Sequence, residues 1–348
     1  MLVQEDLEKL LVGTSATIRQ CLARMNATPH LMQLVVDDER RLVGMVTDGD
    51  VRRALVAGHD LDHNVTTSMR RDPITARTVR DAMATLPTLT GRRRCIPVVD
   101  DLGRPTHVVS DAPESLGMDT AVVMAGGFGK RQGSRTAVTP KPLLPVAGRP
   151  VLWHVLKHLE EHGLKRIFIT IHHLGEQIRD FVRNSDFRAQ IEFIEEPEPL
   201  GTAGGLGRLP KSLTGPLLVM NADIVTRADF ASMLTHHRAH RHDLTIGATR
   251  YDLEIPFGVL KVGEDGLLSD IDEKPHFRNV VSAGIYLIDS QLIRDLDGQH
   301  PYDMPDLIRG AMAAGQRVGI FPIHEYWLDL ARPADLVQAE EDRLHWLR

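Results

Sequence analysis

The sequence predicts an α/β protein with a mixed, mostly parallel sheet, preceded by a smaller α+β module. Two rhythms carry that expectation. From Thr120 onward, buried-type strands alternate with helical stretches, whereas the first ~115 residues hold a weak internal repeat of another kind. A length of 348 residues suits two cores better than one.

Composition narrows the class. Hydrophobic residues make up 42% and charged residues 25%, as in ordinary globular proteins. Net charge is −6, and Lys and Arg are scattered apart from Arg92-Arg93-Arg94, which argues against a nucleic-acid binder. Cys21 and Cys95 lie far apart with no metal-ligand spacing, which fits a reducing cytoplasm. Met1 to Leu11 is acidic and is not read as a signal peptide, and no stretch approaches the roughly 18 apolar residues of a membrane helix. His172-His173 and His236-His237 are sequence neighbours that point different ways, so they read as surface side chains rather than ligands.

In the first part, Leu31 to Leu55 and Arg94 to Leu116 each read as strand, Asp-Asp turn, strand and acidic turn. Helical stretches precede them, at Ile18 to Met25 and at Val79 to Leu89. The unit is helix, strand, strand, helix, used twice over residues 1–115. Pro, Gly and Ser around Pro113 to Asp119 mark a linker at 116–119, and the second domain spans 120–348. There the expected elements are helix Val151 to His162, strand Arg166 to Ile171, helix Gly175 to Arg183, and strands Gln190 to Glu195 and Pro216 to Met220. Strands such as Leu244 to Arg250 and Val280 to Ile288 form an antiparallel extension.

The strand ending at Met124 runs into Ala125-Gly126-Gly127-Phe128-Gly129-Lys130-Arg131, where glycines bare backbone amides to an anion and basic residues follow. A dinucleotide fingerprint is excluded by the missing third glycine and acidic residue, and a Walker loop by the missing G-K-[ST]. Thr139-Pro140-Lys141-Pro142-Leu143-Leu144-Pro145-Val146-Ala147-Gly148 follows. Further on come Leu200-Gly201-Thr202-Ala203-Gly204, and Asn221-Ala222-Asp223 at a strand end, where ligands of α/β sheets bind. Trp327-Leu328-Asp329 supplies a second acid.

The composite G-G-x-G-x-R and P-K-P-L-L-P-V-x-G resembles the nucleotide-binding signature of the sugar-phosphate nucleotidyltransferases, or sugar nucleotide pyrophosphorylases. The resemblance implies a Rossmann-like domain that joins a nucleoside monophosphate to a sugar 1-phosphate, releases pyrophosphate and uses Mg²⁺. By position, Ala125, Gly126, Gly127 and Gly129 wrap the triphosphate, Arg131 and Lys141 are catalytic cations on the phosphates, and Gly201, Thr202 and Gly204 lie against the base. Asp223 and Asp329 hold the metal, while Gly258, Glu273, Lys274 and Ser282 meet the sugar phosphate. Gln132 to Arg135 departs from the family's Leu-x-Pro-Leu-Thr, which implies a looser loop with weakened turnover, and Ser282 replaces an Asn. Gly44-Met45-Val46-Thr47-Asp48-Gly49-Asp50-Val51-Arg52 resembles a CBS signature, so the first part is similar to a tandem CBS pair. Thr47 and Asp50 would then contact the ribose of an adenine nucleotide. The second copy lacks the later Asp-x-x-Arg, and a pair that only packs and dimerises stays open. Fusions of this kind imply activation of sugars for bacterial surface glycans, with GTP favoured by analogy, in a cytoplasmic homo-oligomer. The alternative is a nucleotide-sensing regulator whose transferase half binds without turnover.

Overall fold

A computed structural model describes residues 2–4, 7–25, 32–89, 94–110, 118–127, 136 and 138–347. The chain divides into two compact units, Met1–Gly117 with Leu234–His240, and Met118–Met233 with Arg241–Arg348.

The first unit holds β1 (Leu2–Gln4), β2 (Leu11–Gly13), α1 (Ile18–Met25), β3 (Met32–Val36), β4 (Leu42–Thr47), α2 (Asp48–Val56), α3 (Val79–Thr85), β5 (Cys95–Val99) and β6 (Pro105–Ser110). They form two three-stranded sheets, ordered β2-β3-β4 and β1-β6-β5. The first sheet buries Val35 and Val46 against Ile18, Cys21 and Val51 of α1 and α2. The second buries Ile96, Val98 and Val109 against Ala82 of α3. The opposite sheet faces share a core of Leu34, Met45 and Val108 with Cys95 packed against it. Strand alternation explains this division, because neighbouring residues such as Leu34 and Val35 face opposite sides. The helix expected over Val79 to Leu89 stops at Thr85 and tightens into a 3₁₀ turn at Leu86–Thr88, because Pro87 has no N–H for a helical bond.

The second unit contains β7 (Thr120–Met124), β8 (Pro145–Val146), β9 (Arg149–Pro150), α4 (Val151–Glu161), β10 (Arg166–Ile171), α5 (Gly175–Arg183), β11 (Gln190–Glu195), β12 (Pro216–Asn221) and β13 (Ile224–Thr226). Then follow α6 (Phe230–Ala239), whose residues from Leu234 group with the first unit, β14 (Leu244–Glu254), β15 (Val259–Val262), β16 (Leu268–Asp272), β17 (His276–Asp289), α7 (Met304–Ala313), β18 (Val318–Pro322), β19 (Trp327–Asp329), α8 (Pro333–Glu341) and α9 (Arg343–Trp346). The main sheet has seven strands in the order β11-β10-β7-β12-β17-β14-β18. Only β17 runs against its neighbours β12 and β14; the other pairings are parallel. Near-continuous apolar strands such as Ala121-Val122-Val123 and Ile167-Phe168-Ile169 are fully buried, as parallel strands covered on both faces must be. Among the described residues, no helix is long and apolar enough to cross a membrane.

The antiparallel extension is longer than the sequence suggested. β14 reaches Glu254 and β17 begins at His276, so both strands outrun the sheet core, and β15 pairs with β16 in a separate ribbon. The extra residues are exposed on both faces, so no apolar-polar alternation announced them.

Candidate active site

The ends of β7 and β12 frame the site. β7 delivers Ala125, whose amide donates to the Thr170 carbonyl at 3.2 Å. The Ala222 amide donates to the Met124 carbonyl at 3.1 Å, which locks the end of β12 beside the start of the glycine loop. Gly126 and Gly127 are described there. Gly129, Arg131 and the altered stretch Gln132 to Arg135 lie outside the described residues.

Two aspartates from distant parts of the chain meet at this edge. β13 pairs antiparallel with β19, and the register sets Ile224 opposite Asp329. The Leu330 amide donates to the Asp223 carbonyl at 3.0 Å, closing the two segments on each other. Lys141 is presented by a 3₁₀ turn, Lys141–Leu143, that follows Pro140. Its ammonium forms an ion pair with Asp223 and lies 3.9 Å from Asp329 Oδ1. Three side chains that the sequence offered for phosphate and metal therefore converge. Two carboxylates gathered on one cation are the donor set a hard divalent ion takes, so these residues fit Mg²⁺. The ammonium now neutralises both acids.

The segment Ser282-Ala283-Gly284 on β17 borders the same edge. Gly284 has φ +66°, and a Cβ there would sit 2.7 Å from Asn221 Nδ2, so only glycine permits the approach. The Trp327 indole donates to the Ala283 carbonyl at 2.8 Å. Ser282 is exposed, and its hydroxyl lies 3.0 Å from the Tyr286 hydroxyl and accepts from the Gly284 amide. The residue expected to meet the sugar is thus tied to its own strand while staying open to solvent.

The small-residue loop at 200–204 is held from below. Thr202 Oγ1 accepts from the Met304 amide at 2.8 Å, and the Thr202 amide donates to Asp303 Oδ1 at 2.9 Å, pinning the loop to the start of α7. The Ala203 and Gly204 amides both donate to the Tyr302 carbonyl. Gly201 and Gly204 are required by this packing, since a Cβ on either would strike Asp303 or His300. The amides of residues 202–204 are thus committed to the scaffold, which holds the loop expected beside the base in a fixed shape.

Gly258 and Glu273 come together at the base of the β15–β16 ribbon, where a Cβ on Gly258 would lie 2.9 Å from Glu273 Oε2. Lys274 follows in a left-handed conformation, φ 48°.

Sequence reasoning passed over one side chain, Glu196. It is 5% exposed, and burial pushes its carboxyl above the ordinary range, partly offset by the Leu200 amide and Thr170. A Cβ on Gly126 would lie 2.8 Å from its Oε2, and one on Gly205 would lie 2.6 Å from its Oε1. The carboxylate therefore stands between the phosphate loop and the loop after residue 200. The flanking glycines were visible in the sequence; the burial that singles out this Glu was not.

In the first unit, Thr47 and Asp50 serve each other. Thr47 caps α2, and its amide and hydroxyl donate to Asp50 Oδ2 at 2.9 and 2.6 Å, while Arg53 pairs with Oδ1. This is a reciprocal capping box. Asp111 to Leu116 of the second copy, like residues 116 and 117 of the linker, lie outside the described residues.

Comparison with known proteins addresses the family. A sequence model described as Nucleotidyl transferase matches residues 120–345, and a CBS domain model matches residues 8–57. The chain is 30% identical over 225 residues to a mannose-1-phosphate guanylyltransferase catalytic subunit beta from Drosophila pseudoobscura pseudoobscura, covering 62% of this chain and 60% of that protein. It is 27% identical over 232 residues to a bifunctional protein GlmU from Methanococcus vannielii, covering 63% of this chain and 53% of that one. The chain thus spans little more than half the length of these curated relatives. The crystal structure of HddC from Yersinia pseudotuberculosis superposes with a TM-score of 0.52 at 25% identity, covering 65% of this chain and 100% of that one. With the family's sequence model covering most of the chain, the protein belongs to the nucleotidyl transferase family and carries a CBS domain at its N-terminal end.

Proposed function

We propose that the chain transfers a nucleoside monophosphate from an NTP, GTP being favoured, to a sugar 1-phosphate and releases pyrophosphate. The observation that carries this reading is the meeting of Asp223, Asp329 and Lys141, residues brought from three separate segments to one strand edge. GTP is supported by relatives named mannose-1-phosphate guanylyltransferase in Drosophila and Arabidopsis thaliana.

An oxygen of the sugar phosphate attacks the α-phosphorus in line. The new P–O bond forms as the bond from the α-phosphorus to the bridging oxygen breaks, and pyrophosphate leaves with that electron pair. A phosphate dianion is already nucleophilic at neutral pH, so no general base is required. The barrier the protein must lower is the approach of two polyanions. Lys141 supplies positive charge at the strand edge, and the amides bared at Gly126 and Gly127 supply donors without a side chain in the way. Mg²⁺ held by Asp223 and Asp329 would supply further counter-charge to phosphate oxygens. The repeated helix-strand-strand pattern of the first unit supports its reading as a tandem CBS pair.

The test is a pyrophosphate-release assay across GTP, UTP, CTP, ATP and dTTP, each with a panel of aldose 1-phosphates and Mg²⁺. Release that needs both substrates is expected, and its absence for every pair would overturn the reading in favour of a binding-only domain.

A further inference from the structure

We propose that the chain forms a two-fold dimer through the antiparallel extension of its second unit, where the apolar faces of β14–β17 and β15–β16 are covered by the same faces of a second copy. The inference is independent of the reaction proposed above, since mass in solution reads it whether or not the chain turns over.

The pairing register sorts the exposed residues of the extension by face. Residues directly opposite in an antiparallel pair share a face, and next neighbours along a strand do not. Past the sheet core, Leu253 lies opposite Phe277, with Tyr251 two residues back on the same face. On the other face Asp252 lies opposite Arg278, at 3.8 Å. The separate ribbon repeats the division. Leu260 lies opposite Ile271 and Val262 opposite Leu268, while Lys261 on the other face reaches Asp270 at 2.9 Å and Asp272 at 3.2 Å. Each of these apolar side chains is between 47% and 64% exposed.

A two-stranded ribbon is marginal in water by itself, and an apolar face on it calls for a cover. Three properties select a second copy. The area is right: these half-open side chains come to roughly 500 to 600 Å² per copy, so a pair hides over about 1,000 Å², which a specific interface must clear, before any polar rim is added. The charge is right: Asp252 and Arg278, and Lys261 with its two aspartates, neutralise one another on the face turned away, so two identical apolar faces meet without repulsion. The symmetry is right: a two-fold axis brings a face onto itself, and an apolar row needs no second kind of surface to complement it. An anionic lipid surface is the poorer cover, because residues 250–278 hold seven Asp and Glu against four Lys and Arg, whereas segments that lie on membranes are rich in Lys and Arg.

The test is sedimentation velocity of the full chain across the micromolar range, where a species of twice the 38.8 kDa chain mass is expected. Leu253→Glu and Leu260→Glu each set two like charges into an apolar contact, one from each copy, and should weaken the dimer by about ten-fold or more. Val280→Glu lies opposite Arg250 on the charged face and should leave association unchanged. Hydrogen exchange on the natural protein locates the contact without any substitution: amides of β15 and β16 should exchange more slowly as protein concentration rises through the dissociation constant. A monomer throughout, a dimer that both leucine variants leave intact, a dimer that Val280→Glu breaks as readily as Leu260→Glu, or ribbon exchange independent of concentration would overturn the proposal.

Discussion

Each unit presents a carboxylate at the end of a strand, and the two are in opposite states. Asp50, just past β4, takes three donors from its own neighbourhood: the Thr47 amide, the Thr47 hydroxyl and Arg53. Glu196, just past β11, is buried with the Leu200 amide on Oε2 and Thr170 beside it, and no cation pairs with it among the described residues. The first arrangement stabilises a helix start; the second leaves a carboxyl that burial pushes above its ordinary range. Asp223 and Asp329 fall between these extremes, because their charge is met by Lys141, a group that can leave when a stronger cation arrives.

The largest effect expected from this contrast is at the paired aspartates. Asp223→Asn keeps size and hydrogen bonding while removing one charge from the cation site. Turnover should fall by about a thousand-fold or more, with thermal stability unchanged or raised, since Lys141 still has Asp329. Activity retained in metal-controlled Mg²⁺ would remove Asp223 from the site and break the contrast with Asp50.

Next comes the competition at Lys141. An ammonium already seated on two carboxylates opposes entry of a divalent ion. Lys141→Met should tighten Mn²⁺ binding in the absence of nucleotide by about ten-fold, read by electron paramagnetic resonance, because a like charge within a few ångströms is worth on the order of 1 kcal/mol or more at a partly solvated site. The same substitution should lower turnover, since the cation for the phosphates is lost. Unchanged Mn²⁺ affinity would mean that the aspartates and the ammonium do not compete.

At Asp50 the effect should appear first in stability. Thr47→Ala removes the hydroxyl that caps α2 and should cost about 1 kcal/mol, a downward shift of a few degrees in the melting of the N-terminal unit. Millimolar AMP is the sharper probe. If Asp50→Ala leaves the melting temperature alone yet abolishes a shift caused by AMP, the capping box is incidental and the ribose contact expected from sequence is its purpose.

Much of this was legible before any coordinates, and what was hidden has physical reasons. The strand from Thr120 and those around Ile169 and Val219 announced themselves because parallel strands are apolar on both faces. The glycine loop, the P-K-P segment and both aspartates were recognisable as residue types at spacings. Their convergence was not, because it depends on β12 lying beside β7 and on β13 meeting β19, pairings with no local signature. Glu196 stands in an acidic run with Glu195 and Glu198. Glu195 reaches outward to Arg179, with 70% of its side chain exposed, while Glu196 is buried. Only burial separates them, and burial belongs to the fold. Ser282 shows the converse: its place in the motif was visible, but its contact with the Tyr286 hydroxyl four residues on was not.

The smallest expected effect extends the contrast from carboxylates to a histidine. His158 on α4 is buried, with Nε2 3.1 Å from the Ala228 carbonyl and rings of His162 and Phe230 against it. Burial first, and the neighbouring His162 second, push it down to about 3, so the neutral ring donates Nε2–H to that carbonyl throughout the ordinary pH range. The facing groups are Glu161, Arg227 and Asp229. The unfolded chain protonates this histidine below a pH of about 6.5, whereas the folded one does not until about 3. In that window the unfolded state binds more protons, so the contribution of His158 is fully present above pH ~6.5 and declines as pH falls, by at most about 1.4 kcal/mol per unit. His158→Gln keeps a donor for the Ala228 carbonyl and removes the titration. Denaturant unfolding at pH 7.5, 6.5 and 5.5 should show a shallower loss of stability for the variant, by about 1 kcal/mol at the lowest pH. His154, also held below its usual range by burial, leaves both proteins a residual slope. Parallel lines for the two proteins would mean that His158 reaches solvent and takes its proton in the folded state, and with it that α4 opens far more readily than its packing implies.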